Sequence, residues 1–295
     1  MRKLALATAI AAYPLDDDLP LLLAACGEAG IDAQVLAWDD PTVSWSRFDA
    51  VLLRSTWDYI DRLPGFLAWC DRVAAATRLL NPPDVVRWNT DKRYLGDLAR
   101  AGVAVIDSHF IAPGDEPSSL PAFDEFVVKP TVGAGSRDCR RFVAAERDAA
   151  IAHAGALLDR GLHVLVQPYL AAVDEHGETA LMFFDGAFSH AIRKAPLLRR
   201  GEAATPSLFA PERIGARTPS DDELATARDV LAAIPFGPLA YARVDLLPSA
   251  AGPRLLELEL TEPSLFLAYG PGAAERFAAV LATALAGSAR TADAT

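Results

Sequence analysis

Along the first hundred residues, short and almost wholly apolar runs alternate with longer stretches of helical periodicity. Residues 3–11, 31–38 and 49–54 (DAVLLR) form such runs, and their length between turn signals predicts buried strands. The spacing predicts a helix over 18–29 closed by Gly30, a second from about Pro64 to Ala76, and a short fourth strand at Leu79–Leu80. This rhythm predicts a small parallel sheet with helices on both faces. Arg2 and Lys3 before Leu4 to Ala12 imitate a signal peptide. The run leads straight into a βα unit, so it reads as the first strand. Ligands of such sheets bind beyond the carboxyl ends of the strands, where Arg54, Ser55, Thr56, Trp57, Asp58 and Tyr59 fall. That mixture suits a small polar zwitterion, and it equally suits a polar loop with Trp57 packed beneath.

From Asn89 the pattern changes. A helix is expected over Thr90–Arg100, stopped by Gly102, then strands at 103–111 and 125–129 that leave the parallel rhythm. Further strands are expected at 139–144, 163–170, 179–186 and 188–194, with a helix at 146–160. Asp185-Gly186 between two apolar runs is a hairpin signal. A stretch at 197–219 reads as a long functional loop and 221–233 as a helix. LAYARVDLLP and PRLLELELTEP follow as a second hairpin, 273–286 as a closing helix and the residues from Ser288 as a tail. The resulting division is an N-terminal βαβ domain (1–88), a central lid (89–170), a C-terminal antiparallel-sheet unit (171–288) and a tail (289–295).

Composition narrows the function classes. The 295 residues are 52% apolar with a net charge of −11, which excludes a disordered chain and offers no basic patch for nucleic acid or anionic membrane. Cys26, Cys70 and Cys139 have neither disulfide nor zinc spacing, pointing to a reducing, cytoplasmic setting. The default assembly is a homodimer, since closed two-fold assemblies are the commonest.

The candidate chemistry sits in two places. Arg243 and Asp245 are two apart on a strand, as are Glu257 and Glu259, so each pair shares a face. If 241–247 pairs with 254–260, three carboxylates converge, and like charges about 5 Å apart repel by about 3 kcal/mol per pair at an effective dielectric near 20. Either a hard cation such as Mg²⁺ or an arginine would have to sit among them; a solvated sheet face would need neither. In the second place Lys129 ends an apolar strand before a small-residue loop, Thr131 to Arg137, with Gly133, Gly135 and Ser136. Such a loop lets backbone N–H groups approach an anion. It matches neither the Walker A nor the dinucleotide fingerprint, and Lys92 alone reads as a surface charge.

Taken in order, Lys92, Lys129 with its Gly loop, LVQPYL, Arg193-Lys194, Asp245 and Glu257-x-Glu259 resemble the ATP-grasp superfamily over about residues 85–270. The resemblance implies that ATP and Mg²⁺ are used. Lys92 and Lys129 would contact phosphates, with loop 131–137 (Gly133, Gly135, Ser136) closing over them. Gln167, Pro168, Tyr169 and Leu170 would form the hinge beside adenine. Asp245, Glu257 and Glu259 would hold Mg²⁺, and Arg193, Lys194 and Arg243 would stabilise charge developing during transfer. IRKAP and ELELTEP look like the glutathione-synthetase and ribosomal-modification branch. Glu259 stands where that branch usually has Asn. The 197–213 loop lacks an Asn- and Gly-rich signature, which argues against tripeptide synthesis.

YPLDDDLPLL, LAWDDP, LLRSTWDY and NTDKRYL resemble most closely the O-ureido-serine cyclo-ligase family of D-cycloserine biosynthesis. This implies activation of the O-ureido-D-serine carboxylate as an acyl phosphate and ring closure, with CO₂, ammonia, ADP and phosphate released. Arg54, Ser55, Trp57, Asp58 and Tyr59 are the candidate substrate residues. The alternatives are an intermolecular carboxylate–amine ligase joining amino acids or capping a peptide, and a non-catalytic nucleotide-binding module. Cys139, beside the loop, reads as structural.

Overall fold

The computed structural model describes residues 1–135, 137–196, 198 and 213–287. The first sheet comprises β1 (Arg2–Thr8), β2 (Ile31–Ala37), β3 (Ala50–Leu53) and β4 (Arg78–Leu80), with α1 (Asp18–Glu28) and α2 (Leu63–Ala76) between them. All its pairings are parallel, in the order β2-β1-β3-β4. Leu4 to Thr8 are all buried because both faces are covered. Leu4 and Leu6 share a core with Leu19 and Leu22 of α1, while Ala5 and Ala7 share another with Phe66, Trp69 and Val73 of α2. The strand stops at Thr8, three residues before its expected end, where the Ala9 N–H turns to the Ser55 carbonyl.

The helix expected over Thr90–Arg100 begins only at Tyr94, as α4 (Tyr94–Arg100), and a helix that the sequence did not indicate, α3 (Pro83–Asn89), precedes it. Pro83 suits a helix start, where its missing N–H costs nothing. Lys92 lies in the break between them, its backbone N–H donating to the Thr131 carbonyl at 2.9 Å. The central sheet is antiparallel, β5 (His109–Ile111), β6 (Glu125–Pro130), β7 (Arg140–Val143) and β8 (Val164–Pro168), in the order β5-β8-β6-β7 under α5 (Arg147–Asp159). The apolar stretch 103–111 gives only three strand residues. Val105 instead bridges to Leu255 in the third sheet.

After α6 (Val173–His176) come β9 (Glu178–Phe184), β10 (Ala187–Lys194), β11 (Ile214–Arg217), α7 (Asp221–Ala233), β12 (Tyr241–Leu247), β13 (Arg254–Glu259) and α8 (Ala273–Gly287). Their sheet is ordered β11-β10-β9-β12-β13 with every pair antiparallel. Asp185 and Gly186, at φ +49° and +75°, make the expected tight turn. Phe277 of α8 stacks on Phe184, with ring centroids 4.6 Å apart, and shares a core with α1. Tyr94, Leu95 and Leu98 of α4 pack with Val244 and Leu258, so this helix belongs with the third sheet rather than the central one. Among the described residues no helix is long and apolar enough to cross a membrane.

Candidate functional site

A cleft of about 470 Å³ opens where the three sheets meet. One wall is the β12–β13 hairpin, in which Arg243 faces Glu259 and Asp245 faces Glu257. Val244 and Leu258, one residue off in each strand, are buried on the opposite face. The carboxylates are held by cations. Arg243 donates to Asp245 at 2.8 and 2.9 Å and also pairs with Glu259. Lys194 reaches Asp245 at 3.2 Å and Glu178 at 2.7 Å, and Lys92 reaches Glu257 at 2.9 Å. Lys92 also donates to the Gly133 carbonyl at 2.9 Å. Its buried side chain is therefore no surface charge but joins the glycine loop to the carboxylate hairpin.

Burial opposes charge throughout the wall, and neighbours decide the outcome. Burial would raise Asp245, yet Arg243 and Lys194 pull its carboxyl well below the usual range. Glu257 is likewise raised by burial and pulled lower overall by Lys92 and Lys129. Glu259 and Glu178 stay above the ordinary carboxylate range, because burial outweighs their shares of Arg243 and Lys194. Among the described residues no group of three or more His, Cys, Asp or Glu is arranged so that it could hold a metal ion. The donors are nevertheless all oxygen. An Mg²⁺ ion usually takes one or two carboxylates and completes its shell with phosphate and water oxygens, and this wall suits that arrangement.

Opposite lies the anion side. Lys129 projects from β6 into the cleft with Gly133 and Gly135 beside it. Burial pushes its ammonium below the ordinary lysine range, and Lys92 adds to that against the pull of Glu257. Ser136 lies outside the described residues. Arg137 ties the loop to the first sheet through Asp61 at 2.8 Å. Gln167, Pro168, Tyr169 and Leu170 all line the cleft. Gln167 donates to Ser108 at 3.0 Å, and the Tyr169 N–H donates to the Glu125 carbonyl at 2.8 Å.

Several expected site residues stand elsewhere. Arg193 is exposed and donates to the Glu175 carbonyl. Successive side chains of β10 point to opposite faces, so Lys194 enters the cleft and Arg193 does not. Of the first-sheet group only Trp57 and Tyr59 line the cleft. Asp58 accepts from Trp38 Nε1 at 2.8 Å, and Ser55 pairs with the Thr8 hydroxyl at 2.7 Å. Arg54 is wholly buried, donating to Asp18 at 3.1 Å, Asp16 at 3.4 Å and the Pro263 carbonyl at 3.1 Å. Asp18 in turn accepts the backbone N–H groups of Leu265, Phe266 and Leu267 at 2.6, 3.1 and 2.7 Å. Arg54 and Asp18 thus hold a loop that carries cleft residues instead of entering the cleft themselves. Asp18→Ala strips three N–H groups and half of a buried ion pair, and is expected to cost about 3–5 kcal/mol; a loss below about 1 kcal/mol in urea unfolding would refute the lock.

The sequence reading missed Glu178, Glu262, Ser264 and Phe266, all of which line the cleft. Glu178 opens β9 opposite Lys194, a register that becomes visible only once the hairpin is laid out. The other three follow the end of β13, where no alternation marks a face.

A family profile described as D-cycloserine synthetase DcsG, N-terminal domain, matches residues 4–81. The cycloserine biosynthesis protein DcsG of Streptomyces lavendulae is 46% identical over 300 residues, covering 97% of this chain and 99% of that protein. The crystal structure of D-cycloserine synthetase DcsG superposes with a TM-score of 0.89 at 44% identity, covering 96% of this chain and 99% of that one. The D-alanine–D-alanine ligase of Bacillus anthracis complexed with ATP shares the fold at a TM-score of 0.60 and 14% identity, covering 99% of this chain and 98% of that one.

Proposed function

The chain belongs to the D-cycloserine synthetase family of ATP-grasp ligases, and from that membership we propose that it cyclises O-ureido-D-serine to D-cycloserine at the expense of ATP. The observation that carries the reading is one cleft lined at once by Lys129 and the glycine loop, by Asp245, Glu257 and Glu259, and by Trp57 and Tyr59. Lys92 and Lys129 contact the nucleotide phosphates. Gln167 to Leu170 border adenine. Asp245, Glu257 and Glu259 would hold Mg²⁺. Bound Mg-ATP supplies the phosphoryl group that makes the substrate carboxylate an acyl phosphate. Arg243 and Lys194, already fixed by Asp245 and Glu178, face the developing charge without having to reorganise.

The ureido nitrogen of the same molecule displaces phosphate and closes a five-membered ring. Water then removes the carbamoyl group as CO₂ and ammonia. A tethered nucleophile can act at an effective molarity of roughly 10⁵ M or more, an advantage lost if water reaches the acyl phosphate first. The glycine loop, tied to Lys92 and Asp61, is placed to exclude it. Phosphate release from Mg-ATP with O-ureidoserine as sole amino acid, with stoichiometric ammonia, is the expected result. Release only when a second amine is added would instead identify an intermolecular ligase.

A further inference from the structure

We propose that Glu262 is the seat of the α-ammonium group of the amino-acid substrate, a role that rests on the cyclo-ligase reading and names how that site recognises its substrate. Each other carboxylate of the cleft wall, apart from the exposed Asp17, has a lysine or arginine partner: Glu178 has Lys194, Asp245 has Lys194 and Arg243, Glu257 has Lys92 and Glu259 has Arg243. Among the described residues Glu262 has none. The Tyr59 hydroxyl is its hydrogen-bonding neighbour, which leaves acceptor capacity on a carboxylate. Burial, with Glu257 adding to it, pushes the Glu262 carboxyl up to about 7 against the opposing effects of Tyr59, Lys92 and Arg243. Glu262 is half-buried, and with Lys92 and Arg243 acting on it only from beyond ion-pair distance its charge is incompletely compensated; a cationic ligand group relieves that.

The backbone around Glu262 is fixed from the first sheet. Trp57 Nε1 donates to its carbonyl at 3.0 Å, Arg54 to the next carbonyl at 3.1 Å, and Asp18 holds Leu265 to Leu267. Phe266 within that segment sits at φ +50°, a left-handed conformation that a bulky residue adopts only when its surroundings impose it. Arg243 donates to the Ser264 carbonyl at 3.2 Å, two residues from Glu262. The loop therefore presents a carboxylate that lacks an ion-pair partner near the β12 guanidinium assigned to the reacting carboxylate, which Asp245 and Glu259 already engage. The two opposite charges, Glu262 from the loop and Arg243 from β12 held against the Ser264 carbonyl of that loop, match the two charged ends of an α-amino acid zwitterion. The neutral ureido end then extends away from both.

The test pairs removal of the ammonium from the ligand with removal of the charge from the protein. At pH 8 the wild-type protein is expected to prefer O-ureidoserine over its des-amino counterpart, 3-(ureidooxy)propanoate, by at least 100-fold in kcat/KM. Glu262→Gln keeps the shape and a Tyr59 partner; its preference is expected to fall below about 5-fold, with the KM for ATP within twofold of wild type. An undiminished preference overturns the proposal. Calorimetric binding of D-serine against 3-hydroxypropanoate needs no turnover and separates the two readings. If O-ureidoserine releases no phosphate from the wild type, the cyclo-ligase reading falls, while a D-serine preference that disappears in Glu262→Gln still supports the ammonium seat. No D-serine preference in the wild type, or one that the variant retains, overturns it.

Discussion

Glu257→Gln is expected to lower kcat/KM at least 100-fold and to move the Mg²⁺ concentration for half-maximal turnover upward at least tenfold. Glu257 sits opposite Asp245 on β13 and within 2.9 Å of Lys92, so it is the carboxylate that touches both the hairpin and the phosphate-side lysine. Removing one fixed charge from a site that stabilises a charged transition state typically costs 10²- to 10³-fold. The amide also leaves the buried Lys92 without its carboxylate, a change in stability that the Mg²⁺ titration does not register. Turnover profiles with the same Mg²⁺ midpoint in variant and wild type would remove Glu257 from the metal site.

Lys129→Ala carries the second large effect: at least a tenfold rise in the KM for ATP and about a 100-fold loss of kcat/KM. Lys92 and Lys194 already have carboxylate partners, whereas Lys129 has no hydrogen-bonding or ion-pairing partner among the described residues. An ammonium whose burial favours the neutral form regains its charge when a polyanion arrives. ADP binding is accordingly expected to take up protons as the pH is raised toward the lowered titration range of Lys129, and Lys129→Ala to abolish that uptake. Proton balance follows from binding calorimetry in buffers of different ionisation enthalpy. An unchanged nucleotide affinity in the variant would end the phosphate assignment.

What the sequence made legible follows the periodicities of the chain. Asp245, Glu257 and Glu259 could be placed on one face because side chains of a strand repeat every two residues and the hairpin connection fixes the register. That the relief among them includes Arg243, and also Lys92 and Lys194 from distant segments, required the packed structure. Arg193 shows the same periodicity neglected, since adjacent strand residues cannot share a face. The failure at Arg54, Ser55 and Asp58 is of another kind. A strand end rich in polar groups signals a ligand or a buried anchor alike, and Arg54 proves to be an anchor because its partners lie at residues 16, 18 and 263. Glu262 lies beyond the last strand residue, where no local pattern indicates where a side chain points.

The anchoring of residues 263–267 by Arg54 and Asp18 bears on how such ligases can be recombined. The first sheet looks like a module that could be exchanged for another enzyme's to change the substrate. The lock places half of its own architecture in the module and half in the distal loop, with Trp57 adding a third attachment at Glu262. A chimera replacing residues 1–80 alone would leave the backbone N–H groups of Leu265 to Leu267 and the Pro263 carbonyl without their partners, and would release the loop that carries Glu262. Residues 1–80 and 262–267 are thus a single unit of inheritance, discontinuous in the chain, and a graft that alters specificity has to carry both.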